Sequence, residues 1–257
     1  MSLLRSSSII VTSLAFAASA GAQAAPFLFT VMPAGTTTRG AYSYYELGYG
    51  ERTFEPVAGE RLEHALGIRA SMGSSLTLLA RAGVATLGEE TRFSPRAELV
   101  FGRSFTKTMR LAAGLGYARE YSRTDVMLAR FGVGRETPGS MIHGNLLVEK
   151  PFSGERDAVD LITTVGAGRK LGSAVTMSVE AVGQDLEGFW DPAEKDGGAR
   201  LMLGPSVTVA PPAAKWQLTL GGGPIVRATR SSFDSGADRP LPTRNGYVIR
   251  SAVGFSW

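Results

Sequence analysis

The sequence predicts an all-β protein: a closed antiparallel up-and-down transmembrane β-barrel of twelve strands. Twelve segments alternate apolar residues with small or polar ones, which is the period of a strand whose two faces meet different surroundings. Short connections alternate with longer ones along the chain. Charged residues within these segments fall on the face opposite the apolar residues, as a wall between lipid and water requires.

The first residues are typical of a secreted protein. Arg5 precedes the apolar stretch 9–18, and Ala22-Gln23-Ala24 offers small residues at a cleavage site. We therefore expect residues 1–24 to be a cleaved secretory signal peptide and residues 25–257 to form a single barrel domain. The alternative, a helical membrane anchor, needs about 20 apolar residues, which is longer than this stretch.

Composition excludes several classes of site and partner. The chain has no cysteine, so it can form neither a disulfide framework nor a thiolate metal site. Its net charge of +4 falls to +3 once Arg5 is removed, which is too balanced to indicate a nucleic-acid partner. No glycine-rich turn joins a strand to a helix as a phosphate-binding loop does. We expect no nucleic acid, no metal and no cofactor.

Period-two alternation places the twelve strands in order along the chain. In the third, Leu76, Leu78 and Val84 share the outer face, whereas Thr77 and Arg81 share the inner one. An even number of strands is typical of single-chain bacterial barrels. The strands are centred near Leu47, Leu66, Ala80, Leu99, Leu115, Phe131, Leu146, Val165, Val179, Leu203, Leu220 and Val253.

The connections between these strands predict the orientation of the barrel. Short periplasmic turns and longer outer loops alternate in such proteins, so both termini are expected on the periplasmic side. The outer connection near 122–123 is the exception, because it is short. The short turns surround 73–74, 106–107, 138–139, 172–173 and 211–212, and the long loops cover 51–59, 87–93, 151–157, 184–198 and 228–243.

Aromatic residues are predicted to mark the two membrane interfaces, which accommodate both the apolar ring and its polar tip. A soluble lipocalin-like barrel or sandwich, the competing fold, would bury its aromatic residues in a core. The predicted extracellular set is Tyr49, Tyr117, Tyr121 and Tyr247, and the periplasmic set is Trp216 and Trp257.

The last strand ends in Phe255-Ser256-Trp257, with Tyr247 and Ile249 on the same face as the final aromatic residues. With the exported start and the alternating strands, this ending resembles that of bacterial outer-membrane β-barrel proteins. The resemblance implies a place in the Gram-negative cell envelope, contact with outer-membrane lipid and lipopolysaccharide, and recognition by the barrel assembly machinery. Twelve-stranded relatives include porin-like nucleoside channels, acidic-oligosaccharide channels, phospholipases and proteases.

Charges of inward parity form the candidate solute site in the lumen. In one interpretation the arginines form a ladder that guides an anionic solute. In the other, arginines and glutamates pair across strands and fill a narrow barrel. The candidates are Arg69, Arg81, Arg96, Arg110, Arg130, Arg200, Arg227, Arg250, Glu98, Glu120 and Glu180, accompanied by Lys170, Glu46, Glu63, Glu136 and Glu149.

The sequence offers no convincing catalytic group. His64 has outward parity but no serine beside it, and His143 has inward parity near the periplasmic end with Asn145 and Glu149. The acidic loop 184–198 lacks the ordered ligand spacing of a calcium-binding loop, although a cation or a partner could still bind there.

These observations favour a passive outer-membrane channel for small polar or anionic solutes. A closed structural or surface-interaction barrel, with a lumen filled by salt bridges, is the alternative. A barrel hydrolase is the third possibility, and it lacks a catalytic constellation.

Overall fold

The computed structural model describes residues 27–31, 40–51, 60–87, 90–152, 159–190, 199–228 and 245–257. Twelve antiparallel strands form one closed barrel in which each strand pairs with its neighbours in sequence and β1 pairs with β12. The predicted fold is therefore confirmed, and each strand contains its predicted centre. The strands are β1 Ala41–Glu51, β2 Glu60–Ser71, β3 Leu76–Leu87, β4 Glu90–Ser104, β5 Met109–Arg119, β6 Asp125–Glu136, β7 Ser140–Pro151, β8 Asp160–Lys170, β9 Val175–Gln184, β10 Arg200–Val209, β11 Trp216–Arg227 and β12 Gly246–Ser256.

The exterior of the barrel is apolar and the interior is polar. In β10, Leu201 and Leu203 are exposed on the outside, whereas Ser206 and Thr208 are buried inside. Leu66 and Leu115, on other strands, leave about two-thirds of their surface uncovered, 65% and 66%. A soluble barrel would bury such residues, so the competing soluble fold is wrong for this chain, and the exterior suits contact with lipid.

The two ends of the barrel differ. We term the end that carries Ala41 and Ser256 the terminal end, and the opposite end the loop end. Connections at the terminal end are brief: 72–75, 105–108, 137–139, 171–174 and 210–215. At the loop end, the connections after β1, β7, β9 and β11 are longer, and 120–124 is the short exception that the sequence predicts.

One predicted loop is wrong. The β3–β4 connection, expected over 87–93, shortens to 88–89 because β4 begins at Glu90 and its pairing with β3 continues to Leu87. Thr91 and Phe93 continue the alternation of β4, and both residue types favour strands. Residues 88–89 themselves, most of the other long loops and the predicted signal peptide 1–24 lie outside the described residues.

The aromatic rims are partly as predicted. Tyr49 and Tyr247 lie side by side on the outer face near the loop end, with ring centroids 6.0 Å apart. Trp216 and Trp257 are exposed at the terminal end, where the Trp257 indole donates a hydrogen bond of 3.3 Å to the Ser43 hydroxyl. Tyr121 is the error, because its ring turns into the lumen and is 1% exposed.

Residues 27–31, which we term the inner segment, lie within the lumen in an irregular bend. Phe27 and Thr30 are buried there. Among the described residues, helical structure is limited to one 3-10 turn after β9, Leu186–Phe189, and no helix is long and apolar enough to cross a membrane.

Candidate solute pathway in the lumen

A first cluster of charges covers the inner face of β1, β2, β3 and β12. The Glu63 carboxylate accepts a hydrogen bond of 2.6 Å from Arg81, and the Arg250 guanidinium lies 3.5 Å from it. Glu46 lies 3.1 Å from Arg81 and 3.3 Å from Arg250. Arg61 adds a third cation beside Glu63, at 3.4 Å. We term these five residues the Glu63 cluster.

Tyr121 connects the loop end to the Glu63 cluster. Its hydroxyl donates a hydrogen bond of 2.7 Å to Glu63, and its ring lies 5.2 Å below the Arg61 guanidinium. Its carbonyl accepts a bond of 3.1 Å from Arg92. The ring fits because Gly83 leaves the facing position without a side chain. The short β5–β6 turn therefore folds inward over the Glu63 cluster.

A second cluster lies on β4 and β6. Arg130 donates two hydrogen bonds to the Glu98 carboxylate, of 2.7 and 2.9 Å, in the paired geometry that guanidinium and carboxylate prefer. Arg96 donates a third bond of 2.8 Å to Glu98 and lies 3.9 Å from Glu149. We term this group the Glu98 cluster. Together the two clusters form the charged wall of the lumen.

The wall of β8–β11 differs because the inner segment covers it. Glu180, on β9, is 1% exposed and accepts hydrogen bonds from three consecutive backbone N–H groups, those of Leu28, Phe29 and Thr30, at 2.9, 2.8 and 2.9 Å. The Ser206 hydroxyl donates a fourth, of 3.1 Å. Successive backbone amides that converge on one anion form a nest, which binds negative charge without a cation.

Open space remains between the inner segment and the charged wall. This cavity has a volume of about 370 Å³, and both the inner segment and the charged wall line it. Among the described residues that line it, the arginines outnumber the glutamates by five to three: Arg69, Arg81, Arg96, Arg130 and Arg250 against Glu46, Glu63 and Glu98.

The structure brings some of the predicted lumen residues together and separates others. Arg81, Arg96, Arg130, Arg250 and Glu98 meet in the two clusters, and Arg69 lines the same cavity. The remaining predicted arginines lie away from the cavity: Arg110 on the inner face near the terminal end, and Arg200 and Arg227 as register neighbours near the loop end.

Two predicted glutamates have other environments. Glu120, predicted as a lumen residue, follows β5 in the tight turn at the loop end, where its carboxylate accepts a bond of 2.9 Å from Ser122. The strand alternation on which that prediction rested ends at Arg119. Glu180 does face inward, but its observed partners are backbone amides and a hydroxyl.

Sequence reasoning missed the inner segment and the inward tyrosines. Tyr44 lies against Gly67 and Tyr42 against Gly254, as Tyr121 does against Gly83. A tyrosine of inward parity beside a glycine of inward parity on the neighbouring strand is the signal that could have found the first two. Arg61 was also overlooked, although its alternation with Glu63 places it inside.

Neither histidine is placed in a catalytic arrangement. His64 faces outward and its Nδ1 lies 2.6 Å from the Tyr45 hydroxyl, whereas His143 is fully buried beside the Phe27 ring, with Glu136 at 3.3 Å. Within the described ranges, no three His, Asp or Glu side chains are grouped so that they could hold a metal ion.

The start of the acidic loop 184–198 is part of the fold. The Asp185 carboxylate accepts a hydrogen bond of 3.1 Å from the backbone N–H of Leu161, and the two backbones are bonded again at 3.0 Å in the other direction. Residues 191–198 lie outside the described residues, so cation or partner binding by this loop stays a prediction.

Comparison with known proteins identifies the fold. No protein-family model matches this chain, and no curated protein matches it. The barrel is similar to the solved KdgM porin, with a TM-score of 0.58 and 8% sequence identity over 83% of this chain and 99% of that chain. It is similar to the KdgM porin in complex with disordered oligogalacturonate, with a TM-score of 0.59 and 7% identity over 84% of this chain and 99% of that chain. It is also similar to the NanC porin, with a TM-score of 0.57 and 8% identity over 82% of this chain and 98% of that chain. The chain thus has the closed twelve-stranded fold of outer-membrane porins.

Proposed function

We propose that this protein is a passive outer-membrane channel for small anionic solutes, with the terminal end in the periplasm. The cavity beside the charged wall carries the proposal, since five guanidinium groups and three carboxylates line it. A closed barrel that is apolar outside and polar inside provides a path across lipid, and the cationic excess favours negative solutes.

An anion would pass by exchanging its hydration for guanidinium contacts. Arg69, Arg96 and Arg130 line one continuous cavity. Guanidinium groups form paired hydrogen bonds with carboxylates and phosphates, so each contact can replace lost water. The KdgM porin, a barrel of the same fold, is described in complex with an oligogalacturonate, which is an acidic sugar chain. This supports the same class of solute for the present chain.

The alternative, a closed barrel, is supported by a different observation. The charged wall pairs its arginines with Glu63 and Glu98, and the inner segment occupies part of the lumen. A barrel of this kind would have a structural or surface-interaction role and would conduct nothing.

Planar-bilayer recording separates the two functions. We expect the barrel to conduct once the inner segment is removed from the lumen, and its reversal potential in a potassium chloride gradient to report anion preference. Replacing both Arg69 and Arg96 with Gln should reduce that preference, because the cavity then loses its excess of cations. Arg103→Gln is the matched control, since Arg103 is exposed on the outer side of β4.

The two outcomes that contradict the channel proposal are distinct. A barrel that inserts but stays silent after removal of the inner segment supports the closed barrel. A conducting barrel whose ion preference is unchanged in the double variant contradicts the role of the arginines.

We further propose that lipid and lipopolysaccharide surround the barrel and that the barrel assembly machinery recognises its last strand. The exposed leucines of the wall and the aromatic residues Phe255 and Trp257, which face outward at the terminal end, support this. Trp257→Ala should slow assembly, measured as the fraction of heat-modifiable barrel in the outer-membrane fraction over time, and an unchanged rate would contradict recognition through this residue.

A further inference from the structure

The inner segment occupies a recess in the wall around Glu180, where polar groups of the wall bond to the backbone of the segment. Glu180 is paired in register with Gly166 on β8 and Gly204 on β10, so no side chain from either neighbouring position covers the carboxylate. A buried carboxylate needs hydrogen-bond donors, since burying it without partners is costly. Here three backbone N–H groups of the inner segment and the Ser206 hydroxyl supply them.

The side chains of the inner segment fit gaps in the same wall. A Cβ atom at Gly166 would lie 2.8 Å from the Phe27 ring, and one at Gly221 would lie 3.1 Å from Leu28. Phe27 also packs against Met141 and lies 5.5 Å from the His143 ring. The missing side chains of two glycines therefore create the space that the inner segment fills.

Phe29 joins the recess to the charged wall. Its ring packs against the buried apolar group of Val182, Met202, Ile225 and Val248, and the Arg250 guanidinium lies 5.0 Å above its centre. The same Arg250 guanidinium also contacts Glu46 and Glu63 of the charged wall. The Asn145 amide donates a bond of 2.8 Å to the Val31 carbonyl and so holds the end of the inner segment.

We propose that this recess is a binding site for the chain's own residues 27–31, and that the bound segment closes the solute pathway. The closing half rests on the proposed channel function, whereas the binding half does not. No covalent bond other than the chain itself holds the segment. With cleavage predicted before Ala25, two residues precede Phe27, and the eight residues 32–39 between the segment and the first described residue before β1 can span at most about 28 Å. That reach allows the segment to leave the lumen.

A disulfide tests the binding half on the full-length chain. The protein contains no cysteine, so Phe27→Cys with Gly166→Cys introduces a single pair. The Cβ position at Gly166 lies 3.1 Å from Phe27 Cγ, which the sulfur would replace, so the pair is close enough to bond. We expect oxidation to join the two positions within one chain, read as a band shift after proteolytic cleavage between them. Phe27→Cys with Gly144→Cys is the control. Gly144 lies on the neighbouring β7, and the three atoms nearest to its Cβ position do not belong to Phe27. A failure of the first pair to join would overturn the site.

Conductance tests the closing half with the same variant. The oxidised barrel should be closed, and a reductant should restore openings without changing the number of barrels in the membrane. Equal conductance before and after reduction, in a barrel shown to be joined, would overturn closure by the segment while leaving the channel function intact.

The charge of Glu180 gives an independent test. Glu180→Gln keeps the size of the side chain but removes the charge that the amides bind, and should shift the closed-to-open ratio by about ten- to a hundred-fold toward open. Glu120→Gln is the matched control, because Glu120 lies in the β5–β6 turn and bonds to Ser122. Equal shifts in the two variants, or none in either, would contradict the nest.

A peptide added in solution tests recognition directly. A barrel that lacks residues 25–31 should conduct steadily, and the peptide Ala-Pro-Phe-Leu-Phe-Thr-Val should block it from the terminal side. The same peptide with Phe27→Ala and Phe29→Ala should block far less, because it cannot fill the gap at Gly166 or contact Arg250. Equal block by both peptides would overturn the recess as the binding site. If the barrel that lacks residues 25–31 does not conduct, this result counts against the channel function. The disulfide result would still decide whether the recess is the binding site.

Discussion

The charged wall and the wall of β8–β11, which the inner segment covers, stabilise buried carboxylates in different ways. Glu63 and Glu98 are surrounded by guanidinium groups from their own and other strands, whereas Glu180 has hydrogen bonds from the backbone of the inner segment. The first arrangement is complete once the strands are paired. The second requires a part of the chain that lies outside the barrel wall, so it can be undone without breaking the barrel.

The largest effect on barrel stability is expected from Glu63→Gln. This change leaves Arg61, Arg81 and Arg250 close together without the carboxylate between them, and breaking a buried ion pair costs about 3 kcal/mol or more. Urea unfolding in detergent micelles, followed by tryptophan fluorescence, measures the loss. Glu90→Gln is the control, because the Glu90 side chain is 60% exposed. Similar losses in the two variants would mean that the charged wall contributes little to stability.

Tyr121→Phe should cost about 2 kcal/mol, because it removes a buried hydrogen bond to the ionised Glu63. The same unfolding experiment applies. The loss should disappear in the Glu63→Gln background if the hydroxyl acts through that carboxylate. Additive losses in the double variant would contradict the contact.

Glu180→Gln should reduce the unfolding free energy of the barrel by only about 1 kcal/mol, although Glu180 is as deeply buried as Glu63. The inner segment can leave, and the neutral amide that replaces the carboxylate then faces the water of the lumen. Thermal unfolding together with protease cleavage within residues 25–39 would measure this, since the released segment should be cut faster. A loss equal to that of Glu63→Gln would show that the two walls do not differ.

The smallest effect is expected from Tyr117→Phe, below about 0.5 kcal/mol. Tyr117 donates a bond of 2.6 Å to Asp125, slightly shorter than the 2.7 Å bond of Tyr121, but it does so on the exposed outer face. Unfolding of this variant beside Tyr121→Phe isolates the effect of burial on otherwise similar hydrogen bonds, and equal losses would remove burial as the cause.

Local pattern was sufficient to predict the barrel wall. Alternation identified every strand because each outward residue meets apolar surroundings and each inward residue meets polar ones, whatever its partner. The end of β5 shows the limit of this signal. Parity counted past Arg119 placed Tyr121 at the outer rim, whereas the chain turns there and carries the Tyr121 ring inward.

The inner segment could not be predicted in the same way. Phe27 to Val31 have no strand period or helix period, and Glu180, which binds them, is 150 residues away from Thr30. The match depends on the empty space beside two glycines and on the direction of three N–H groups, which only the folded barrel brings together. Gly166 and Gly204 are also brought beside Glu180 only by strand pairing, which depends on the register of the folded sheet.

The pairing of β1 with β12 has a consequence for the order of assembly. Ala41 and Trp257 exchange two backbone hydrogen bonds, of 3.2 and 3.0 Å, across 216 positions of sequence. Hairpins between neighbouring strands can form while the rest of the chain is still unpaired, but this junction must wait until β12 has been translated and delivered. Until then both edge strands have unsatisfied backbone groups, which attract other strands. The barrel therefore closes late and slowly, because contacts between distant residues form late. During that interval the unpaired edges must be kept from pairing with strands of other molecules.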